Sequence, residues 1–371
     1  MKRTLGIYVH IPFCIKKCNY CDFCSFPDKL NTVGEAYVDE LIRRIRSASS
    51  SARDYEVDTV YFGGGTPSLL PPNLLARILN TIHEYLDVAK NAEITLECNP
   101  ATASPVSLRE LFEIGFTRLS IGLQSAVDSE LRLLGRAHSL SDFITCFNDA
   151  RRAGFDNISV DLMYGIPEQT EQTLSFSIDL LTSLAPEHIS AYGLSVEEGT
   201  DFYRRKDTLN IADDDTQATM YALINQRLKD AEYSRYEISN FARTGFESRH
   251  NLRYWRALEY LGFGVAAHSY FGGERFGNSR DIDAFLRGKD IAEEREVIVQ
   301  QELRREFVML GLRLTEGISY ADYRSRFGSE LDTDFPAEHF IQQGFMTKKN
   351  GHLAFTEKGF LVSNTILADI L

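Results

Sequence analysis

The chain has 371 residues, a size that suggests two or three domains, or one barrel with an appended module. Hydrophobic residues make up 43% and charged residues 25%, as in a globular protein that can bury a large core. The formal net charge of -13 disfavours nucleic acid as the main partner, because a negative surface repels phosphates.

Neither a membrane segment nor a disulfide framework is expected from the sequence. No stretch reaches the roughly 20 apolar residues that a membrane crossing needs, and the apolar run after Arg3 is broken by His10 and Pro12. Six cysteines, four of them near the N-terminus, fit metal-binding thiolates in a reducing compartment. We therefore expect a cytoplasmic protein, and leave a peripheral association with a membrane open.

The first 195 residues alternate strand-like and helix-like segments, a pattern that predicts βαβ units and a parallel sheet. Strands are predicted at 5–11, 57–63, 93–97, 118–123, 158–163 and 188–194. Helices are predicted at 35–47, 72–86, 107–114, 141–153 and 171–184. Pro72 suits a helix start, and Gly115 and Gly154 suit helix ends. By themselves, six such units fit either an open barrel or a doubly wound sheet.

Three cysteines follow the first strand, as Cys14, Cys18 and Cys21 in the spacing C-x3-C-x2-C. Thiolates at this spacing can hold three corners of a cubane iron–sulfur cluster. Because such clusters usually take four cysteines, one iron is left open for chemistry. Cys24 extends the series, so a structural zinc site is the alternative, although the run lacks the longer loop that separates the ligand pairs of such sites. We interpret Cys24 as a bystander.

Three successive glycines end the second predicted strand, in the stretch Gly63-Gly-Gly-Thr-Pro67. They allow the backbone to approach a ligand closely, although a tight strand-to-helix turn is the alternative.

Polar side chains lie at or just after later strand ends. They are Glu97, Gln124 and Asp161, with Arg136 following Gln124. In (β/α) folds, ligand groups come from the C-terminal ends of strands. A carboxylate can bind hydroxyls or an amine, and an arginine can pair with a carboxylate. Singly, each could be a surface or capping residue; together, beside the cysteines, they favour a binding site.

The region 196–295 has a different character. It contains one amphipathic helix, predicted at 216–230, and the acidic run 213–215 before it suits a helix cap rather than a metal site. Aromatic and glycine-rich segments at 233–241 and 260–273 are predicted as strands that extend the sheet and cover the barrel.

From residue 296 onward the pattern predicts a winged-helix-like module. Helices are predicted at 304–312, 320–327, 337–343 and 357–370, the last capped by Thr356. The Asn350-Gly351 turn signal joins hairpin strands at 345–348 and 353–356. Such modules often bind DNA, but the acidic balance favours packing or contact with a protein partner. We therefore expect three domains, at 1–195, 196–295 and 296–371.

Taken together, the motifs resemble the radical S-adenosylmethionine (SAM) superfamily. Within it they resemble the branch of the oxygen-independent coproporphyrinogen III oxidases and the HemW-type heme chaperones. The resemblance covers nearly the whole chain and implies a partial (β/α)6 barrel with a sheet extension and a small C-terminal winged-helix-like domain. It runs through Tyr8-x-His-Ile-Pro-Phe-Cys, Gly63-Gly-Gly-Thr-Pro, Arg118-Leu-Ser-x-Gly-x-Gln, Asp161-Leu-x-Tyr-Gly-x-Pro, Gln169-Thr, Arg249-His-Asn-x-x-Tyr-Trp, Gly262-x-Gly264 and Leu310-Gly-Leu-Arg-Leu.

The resemblance also implies the cofactors and their ligands. Cys14, Cys18 and Cys21 would bind a [4Fe–4S] cluster, whose open iron takes the amino and carboxylate groups of SAM. An electron from the cluster then cleaves SAM to a 5′-deoxyadenosyl radical. The residues implied to contact SAM are Tyr8, Tyr20, Gly64, Thr66, Glu97, Gln124, Arg136 and Asp161.

Two departures separate the chain from the oxidases. Only 13 residues precede Cys14, whereas the oxidases carry a long N-terminal extension. Asp22-Phe23 lies between Cys21 and Cys24, where the oxidases have C-x-C. We therefore expect a heme chaperone that binds the cluster, SAM and heme and delivers heme to acceptor proteins. The alternatives are the oxidase, which attacks propionate side chains, and a degenerate barrel with a structural metal; whether the chain is an enzyme is left open.

The segment Arg249-His-Asn-x-x-Tyr-Trp255 is the one that the chaperone branch is thought to use for heme. Histidine is a standard axial ligand of heme iron, and aromatic rings can pack on the porphyrin face. By resemblance His250 is predicted to bind heme, with Tyr254 and Trp255 shaping the pocket. The alternative is a histidine satisfied by hydrogen bonds beside a core tryptophan. His268 is a second candidate ligand.

Overall fold

The computed structural model describes residues 2–27 and 29–371. The strands of this part of the chain are β1 (Arg3–Ile11), β2 (Phe13–Cys14), β3 (Phe26–Pro27), β4 (Tyr55–Gly64), β5 (Val88–Cys98), β6 (Arg118–Gln124), β7 (Ile158–Tyr164), β8 (His188–Gly193), β9 (Ser234–Arg235), β10 (Asn240–Ala242), β11 (Tyr260–Phe263), β12 (His268–Phe271), β13 (Glu274–Asn278), β14 (Ala292–Val297), β15 (Ile318–Ser319), β16 (Met346–Lys349) and β17 (His352–Phe355).

The α-helices are described in the same residues. They are α1 (Leu30–Ala48), α2 (Pro72–Tyr85), α3 (Pro105–Ile114), α4 (Asp128–Leu133), α5 (Leu140–Ala153), α6 (Glu171–Leu184), α7 (Asp201–Arg204), α8 (Asp214–Asp230), α9 (Arg249–Trp255), α10 (Ile282–Leu286), α11 (Gln300–Gly311), α12 (Tyr320–Phe327), α13 (Leu331–Asp334), α14 (Glu338–Gln342), α15 (Glu357–Leu361) and α16 (Ser363–Ile370).

One large mixed sheet forms the frame of the molecule. Within the described residues it has 12 strands in the order β14-β13-β12-β11-β1-β4-β5-β6-β7-β8-β10-β9. The run from β1 to β8 is parallel, each strand pairing with the next in chain order, apart from the short β2 and β3. Helices connect these strands, so the predicted partial (β/α)6 barrel is confirmed. The alternative of a doubly wound sheet is wrong.

The parallel strands are buried because helices cover their outer face. Every residue of β6 is buried, as is usual for a strand inside a parallel sheet. One apolar core runs from Leu5 to Ile291 and therefore includes both the barrel and its extension. A second core runs from Phe307 to Leu367 in the C-terminal region. The division of the chain at 195 and 295 stays a prediction.

Local sequence signals set the helix ends. The Ser139 hydroxyl accepts a hydrogen bond from the Asp142 backbone N–H, and the Asp142 side chain accepts one from the Ser139 N–H, so α5 begins with a reciprocal capping box. The helix ends at Gly154, whose φ of 113° places it in the left-handed region that glycine favours. Asp213 caps α8 by accepting from the Thr216 N–H, as predicted.

The strand extensions grow from both edges of the parallel sheet. β11 pairs with β1 in parallel, and β12 to β14 continue it as an antiparallel meander. On the opposite edge, β10 pairs antiparallel with β8. The segments 233–241 and 260–273 therefore contain strands that extend the sheet, as predicted. Helices α4 and α9 and strand β14 were not predicted.

The C-terminal region contains the predicted hairpin, with Met346 opposite Phe355. The helix expected at 357–370 is wrong in one respect, because Val362, with φ of -117°, divides it into α15 and α16. A β-bridge between Glu237 and Leu314 joins this region to the sheet extension. None of the helices in the described residues has both the length and the hydropathy that a membrane crossing requires.

Arg253 fastens α9 to the sheet. Its side chain is almost completely buried, at 2% exposure. The guanidinium donates to the Asp58 carboxylate at 2.5 Å and to the carbonyl oxygens of Thr4 and Glu259 at 2.9 and 2.8 Å. Gly6 leaves room for it, since a Cβ there would lie 2.8 Å from the arginine Cδ.

We expect Arg253→Met to lower the free energy of unfolding by about 3 kcal/mol, because it leaves buried carbonyls and a carboxylate without their donor. The midpoint of urea unfolding, followed by circular dichroism, measures the effect. Arg256→Ala is the matched control. It removes an exposed ion pair with Glu316 and should cost under about 1 kcal/mol. Equal midpoints for the two variants would contradict the fastening role of Arg253.

Candidate cofactor-binding site

A cavity of about 1200 Å³ opens where the parallel strands end. It is larger than the roughly 300–1,000 Å³ of common ligand pockets. The three motif cysteines line it, as do all the residues expected to contact SAM, namely Tyr8, Tyr20, Gly64, Thr66, Glu97, Gln124, Arg136 and Asp161. The structure therefore brings together residues that are up to 153 positions apart in the sequence. His250 does not line the cavity.

The cysteines lie in the segment 12–27, called here the cysteine loop. Its ends are held by the pairing of β2 with β3 and by a 2.6 Å hydrogen bond from the Phe26 N–H to the Pro12 carbonyl. Asn19 ties its middle to the C-terminal end of α4: its backbone and side-chain amides donate to the carbonyls of Leu134 and Leu133 at 2.9 and 2.8 Å. Sequence reasoning did not identify Asn19, although it lies between two of the motif cysteines.

The glycines at the end of β4 allow the cysteine loop to pack against the barrel. A Cβ on Gly65 would lie 2.8 Å from the Phe13 carbonyl oxygen and 3.1 Å from the Cys14 sulfur. Gly64 has a φ of 114°, and a Cβ there would collide with the His10 ring at 2.6 Å. The hydroxyl of Thr66 lies 3.5 Å from the Cys14 sulfur. Glycine is therefore needed at positions 64 and 65 because the His10 ring and the cysteine loop come too close for a side chain.

Cys14, Cys18 and Cys21 are free thiols, each partly buried. Burial raises the pKa of Cys14 and raises that of Cys21 to about 11. Among the described residues, no three His, Cys, Asp or Glu side chains are grouped closely enough to hold one metal ion. In a cubane cluster each cysteine binds a different iron, and three free thiols that line one cavity are the type of donor that such a cluster takes.

Two carboxylates face the cavity from β5 and β7, the strands on either side of β6. Glu97 accepts hydrogen bonds from the Tyr61 hydroxyl at 2.9 Å and from the Gly64 N–H at 3.1 Å. Asp161 accepts one from the Ser120 hydroxyl at 3.5 Å. Burial is the main cause that raises the pKa of Glu97 to about 7 and that of Asp161 to about 6. A cation bound between them would restore their charged forms.

Arg136 stands between the carboxylates and the cysteines. Its Nη1 lies 3.7 Å from the Cys18 sulfur, and its Nη2 donates to the Gly122 carbonyl at 3.0 Å. Its Nε is buried and has no hydrogen-bond partner among the described residues. An unsatisfied donor of this kind fits the carboxylate of a ligand such as SAM.

Gln124 ends β6 in an unusual backbone conformation. Its φ of 71° lies in the left-handed region, and the register of β6 against β7 shifts beside it. Its side-chain oxygen accepts a 2.7 Å hydrogen bond from the Tyr192 hydroxyl. Non-glycine residues in this region cost about 1–3 kcal/mol and cluster at binding sites.

His250 lies in the interior behind the cavity, at 1% exposure. Its Nδ1 is 2.9 Å from the Thr59 hydroxyl and its Nε2 is 2.9 Å from the Tyr254 hydroxyl. Burial lowers its pKa to about 3, so the ring is neutral. Neither nitrogen is free to bind iron in this conformation, and the assignment of His250 as a heme ligand stays a prediction. Of its two aromatic neighbours, Tyr254 lines the cavity and Trp255 does not.

Arg118 is a further cavity residue that sequence reasoning did not single out. Its side chain is among the largest that are fully buried, and its Nε has no hydrogen-bond partner in the described part of the chain. It lies near Glu97 and Asp161, where its positive charge acts against the effect of burial by lowering both pKa values. The burial of Arg118 could not be predicted from its place at the start of β6, since a charged residue at a strand end is usually exposed.

Two protein-family models match this chain, and a solved structure superposes on nearly all of it. Residues 8–181 match the radical SAM superfamily, and residues 298–362 match the HemN C-terminal domain. Coproporphyrinogen III oxidase (HemN) from Escherichia coli superposes with a TM-score of 0.87 at 22% identity, covering 99% of this chain and 90% of that one. This likeness shows a shared fold.

Curated relatives are similar in sequence as well. The heme chaperone HemW of Bacillus subtilis (strain 168) is 34% identical, with 98% of each chain covered. The heme chaperones HemW of Mycobacterium tuberculosis (strain ATCC 25618 / H37Rv) and Escherichia coli (strain K12) are 33% and 32% identical; the matches cover 100% and 98% of this chain and 95% and 97% of the relatives. By this similarity the chain belongs to the radical SAM superfamily, within the family of the heme chaperone HemW.

Proposed function

We propose that the chain is a heme chaperone, which binds heme and delivers it to acceptor proteins. The observation that carries this proposal is the full-length similarity to heme chaperones of three distant bacteria. The size of the cavity supports it, since the volume exceeds what a single small cofactor needs. The six free thiols are those of a protein that works in a reducing compartment, as the cytoplasm is.

Membership of the radical SAM superfamily implies a [4Fe–4S] cluster and SAM. When bound, they supply radical chemistry that begins with an electron from the cluster. The protein's own residues bind and orient the two groups. We assign Cys14, Cys18 and Cys21 as cluster ligands, because they share one loop, are partly buried and face the cavity.

The assignment for SAM rests on charge and position. Glu97 and Asp161 can receive the cationic groups of SAM, and Arg136 can receive its carboxylate with the donor that lacks a partner. The Gly64 N–H donates a hydrogen bond to the Glu97 carboxylate, so the glycine turn holds that carboxylate toward the cavity. Tyr8, Tyr20, Thr66 and Gln124 complete the walls.

Each of Cys14→Ala, Cys18→Ala and Cys21→Ala should abolish the brown chromophore after anaerobic reconstitution, because two thiolates cannot hold the cluster. Iron content and absorption near 400 nm measure the result. Cys24→Ala is the matched control and should keep the colour, since Cys24 belongs to the apolar core. A colourless Cys24 variant beside a coloured Cys14 variant would show that the ligand set is wrong.

SAM affinity should fall as pH is lowered from 8 to 6. Acids with raised pKa values, about 7 for Glu97 and about 6 for Asp161, take up protons in this range and lose the charge that attracts the cation. Calorimetry on the reconstituted protein measures the slope. Glu97→Gln should weaken binding at pH 8 roughly tenfold or more and flatten the slope near pH 7. Glu110→Gln, an exposed change on α3, should leave both unchanged; a pH-independent wild type contradicts the assignment.

The chaperone proposal is tested on the reconstituted wild type. We expect hemin to bind with one equivalence point and a shifted Soret band, and to pass to apomyoglobin, which reports the released heme. The competing activity is assayed with coproporphyrinogen under the same anaerobic conditions. Conversion to protoporphyrinogen, or a failure to bind hemin, would contradict the proposal in favour of an oxidase or of a protein with another ligand.

A further inference from the structure

The chaperone needs a residue that can hold heme iron, and histidine is a common axial ligand. Of the eight histidines in the sequence, His10 and His268 line the cavity. The two nitrogens of His10 are engaged, with the Tyr8 hydroxyl at 3.1 Å and the Cys24 carbonyl at 2.9 Å, and its side chain is buried. His268 is therefore the cavity histidine whose ring could bind a metal.

His268 begins β12 and is exposed. Its ring has no hydrogen-bond partner among the described residues. In the sheet it stands opposite Gly277 of β13, and a Cβ at that position would lie 2.9 Å from the histidine Cε1 and 3.0 Å from its Nδ1. The glycine thus leaves space for the imidazole beside the strand, at the wall of the cavity.

The wall near His268 also suits a porphyrin. Tyr254 and Tyr260 line the same cavity, and their rings meet edge to face at 4.7 Å and 87°. Such rings offer apolar area to a flat macrocycle while keeping a polar hydroxyl. His250 contributes indirectly, because its Nε2 holds the Tyr254 hydroxyl. His250 thereby shapes the wall without lining the cavity itself.

Heme carries two propionates, which need cations. Arg280 lines the cavity just after β13 and is 67% exposed; its ion pair with Asp22 is long, at 3.6 Å, and can be exchanged. Lys16 and Lys17 lie on the same rim. The carboxylates of Glu197, Glu293 and Glu294 also line the cavity, and Glu293 pairs with Gly277, the residue opposite His268. Because these carboxylates repel propionates, Arg280 and the two lysines are the groups that can receive them.

We propose that heme binds in the mouth of this cavity, with His268 as an axial ligand of the iron and Arg280 as a partner of a propionate. This inference rests on the proposed chaperone function and specifies its binding site. It places heme beside the cysteine loop, since Arg280 reaches Asp22 of that loop. Arg280 and His268 also lie near His10. Burial is the main cause that lowers the pKa of His10 to about 4, and the charges of Arg280 and His268 make smaller contributions in the same direction.

The iron ligand is tested by titrating hemin into four reconstituted proteins: the wild type, His268→Ala, His250→Gln and the exposed control His339→Ala. Difference absorption and electron paramagnetic resonance spectra of the ferric heme are recorded, with iron–sulfur content as the check on folding. We expect His268→Ala to change both spectra and to weaken hemin binding roughly tenfold or more. Added imidazole should restore the wild-type spectrum in this variant, because it replaces the missing ligand.

The propionate partner is tested by comparing hemin with its dimethyl ester. The wild type should prefer hemin, and Arg280→Gln should lose most of that preference. Arg287→Gln removes an exposed arginine outside the cavity and is the matched control. An unchanged preference in Arg280→Gln would overturn the role of Arg280.

The outcomes distinguish a failure of the chaperone function from a failure of the proposed heme site. If the wild type gives no hemin spectrum, the chaperone function itself is wrong. If the wild type binds hemin and His268→Ala keeps its spectrum and affinity, the function stands and the site is overturned. Loss of the spectrum in His250→Gln, but not in His268→Ala, would overturn the site by placing the iron at His250 instead.

Discussion

Parallel pairing of the barrel strands is the constraint on which the rest of the structure depends. It brings the carboxyl end of each strand to one rim, so that residues far apart in sequence share a single cavity. Glu97 and Asp161 come from strands separated by β6, yet both face the same space. Their raised pKa values follow from burial at that rim, and the cavity is thereby prepared for a positively charged ligand.

The cysteine loop depends on the rim in turn. It is too short to build a core of its own and is positioned by contacts with the barrel. Gly65 leaves room for its backbone to approach closely, and Asn19 fastens its middle to the C-terminal end of α4. His10 links the loop to the first strand through the Cys24 carbonyl. The positions of the three cysteines are therefore set by glycine, amide and imidazole contacts outside the cysteines themselves.

Much of this could be predicted from the sequence, because strand and helix periodicity and capping signals are local. The barrel strands begin and end within a few residues of prediction, and Asp213 and Thr356 cap the helices expected of them. The division of the last helix at Val362 was missed, since no glycine or proline marks it. The surroundings of His250 were also beyond reach, because its partner Thr59 is distant in the chain and only the folded sheet brings them together.

The left-handed backbone of Gln124 has a further consequence. The strain it stores must be offset by the surrounding core, so the fold gives up stability to keep one amide at the rim. A glycine would relax the backbone but would also remove the oxygen that orders the Tyr192 hydroxyl. Selection for thermal robustness and selection for ligand binding therefore pull this position toward different residues.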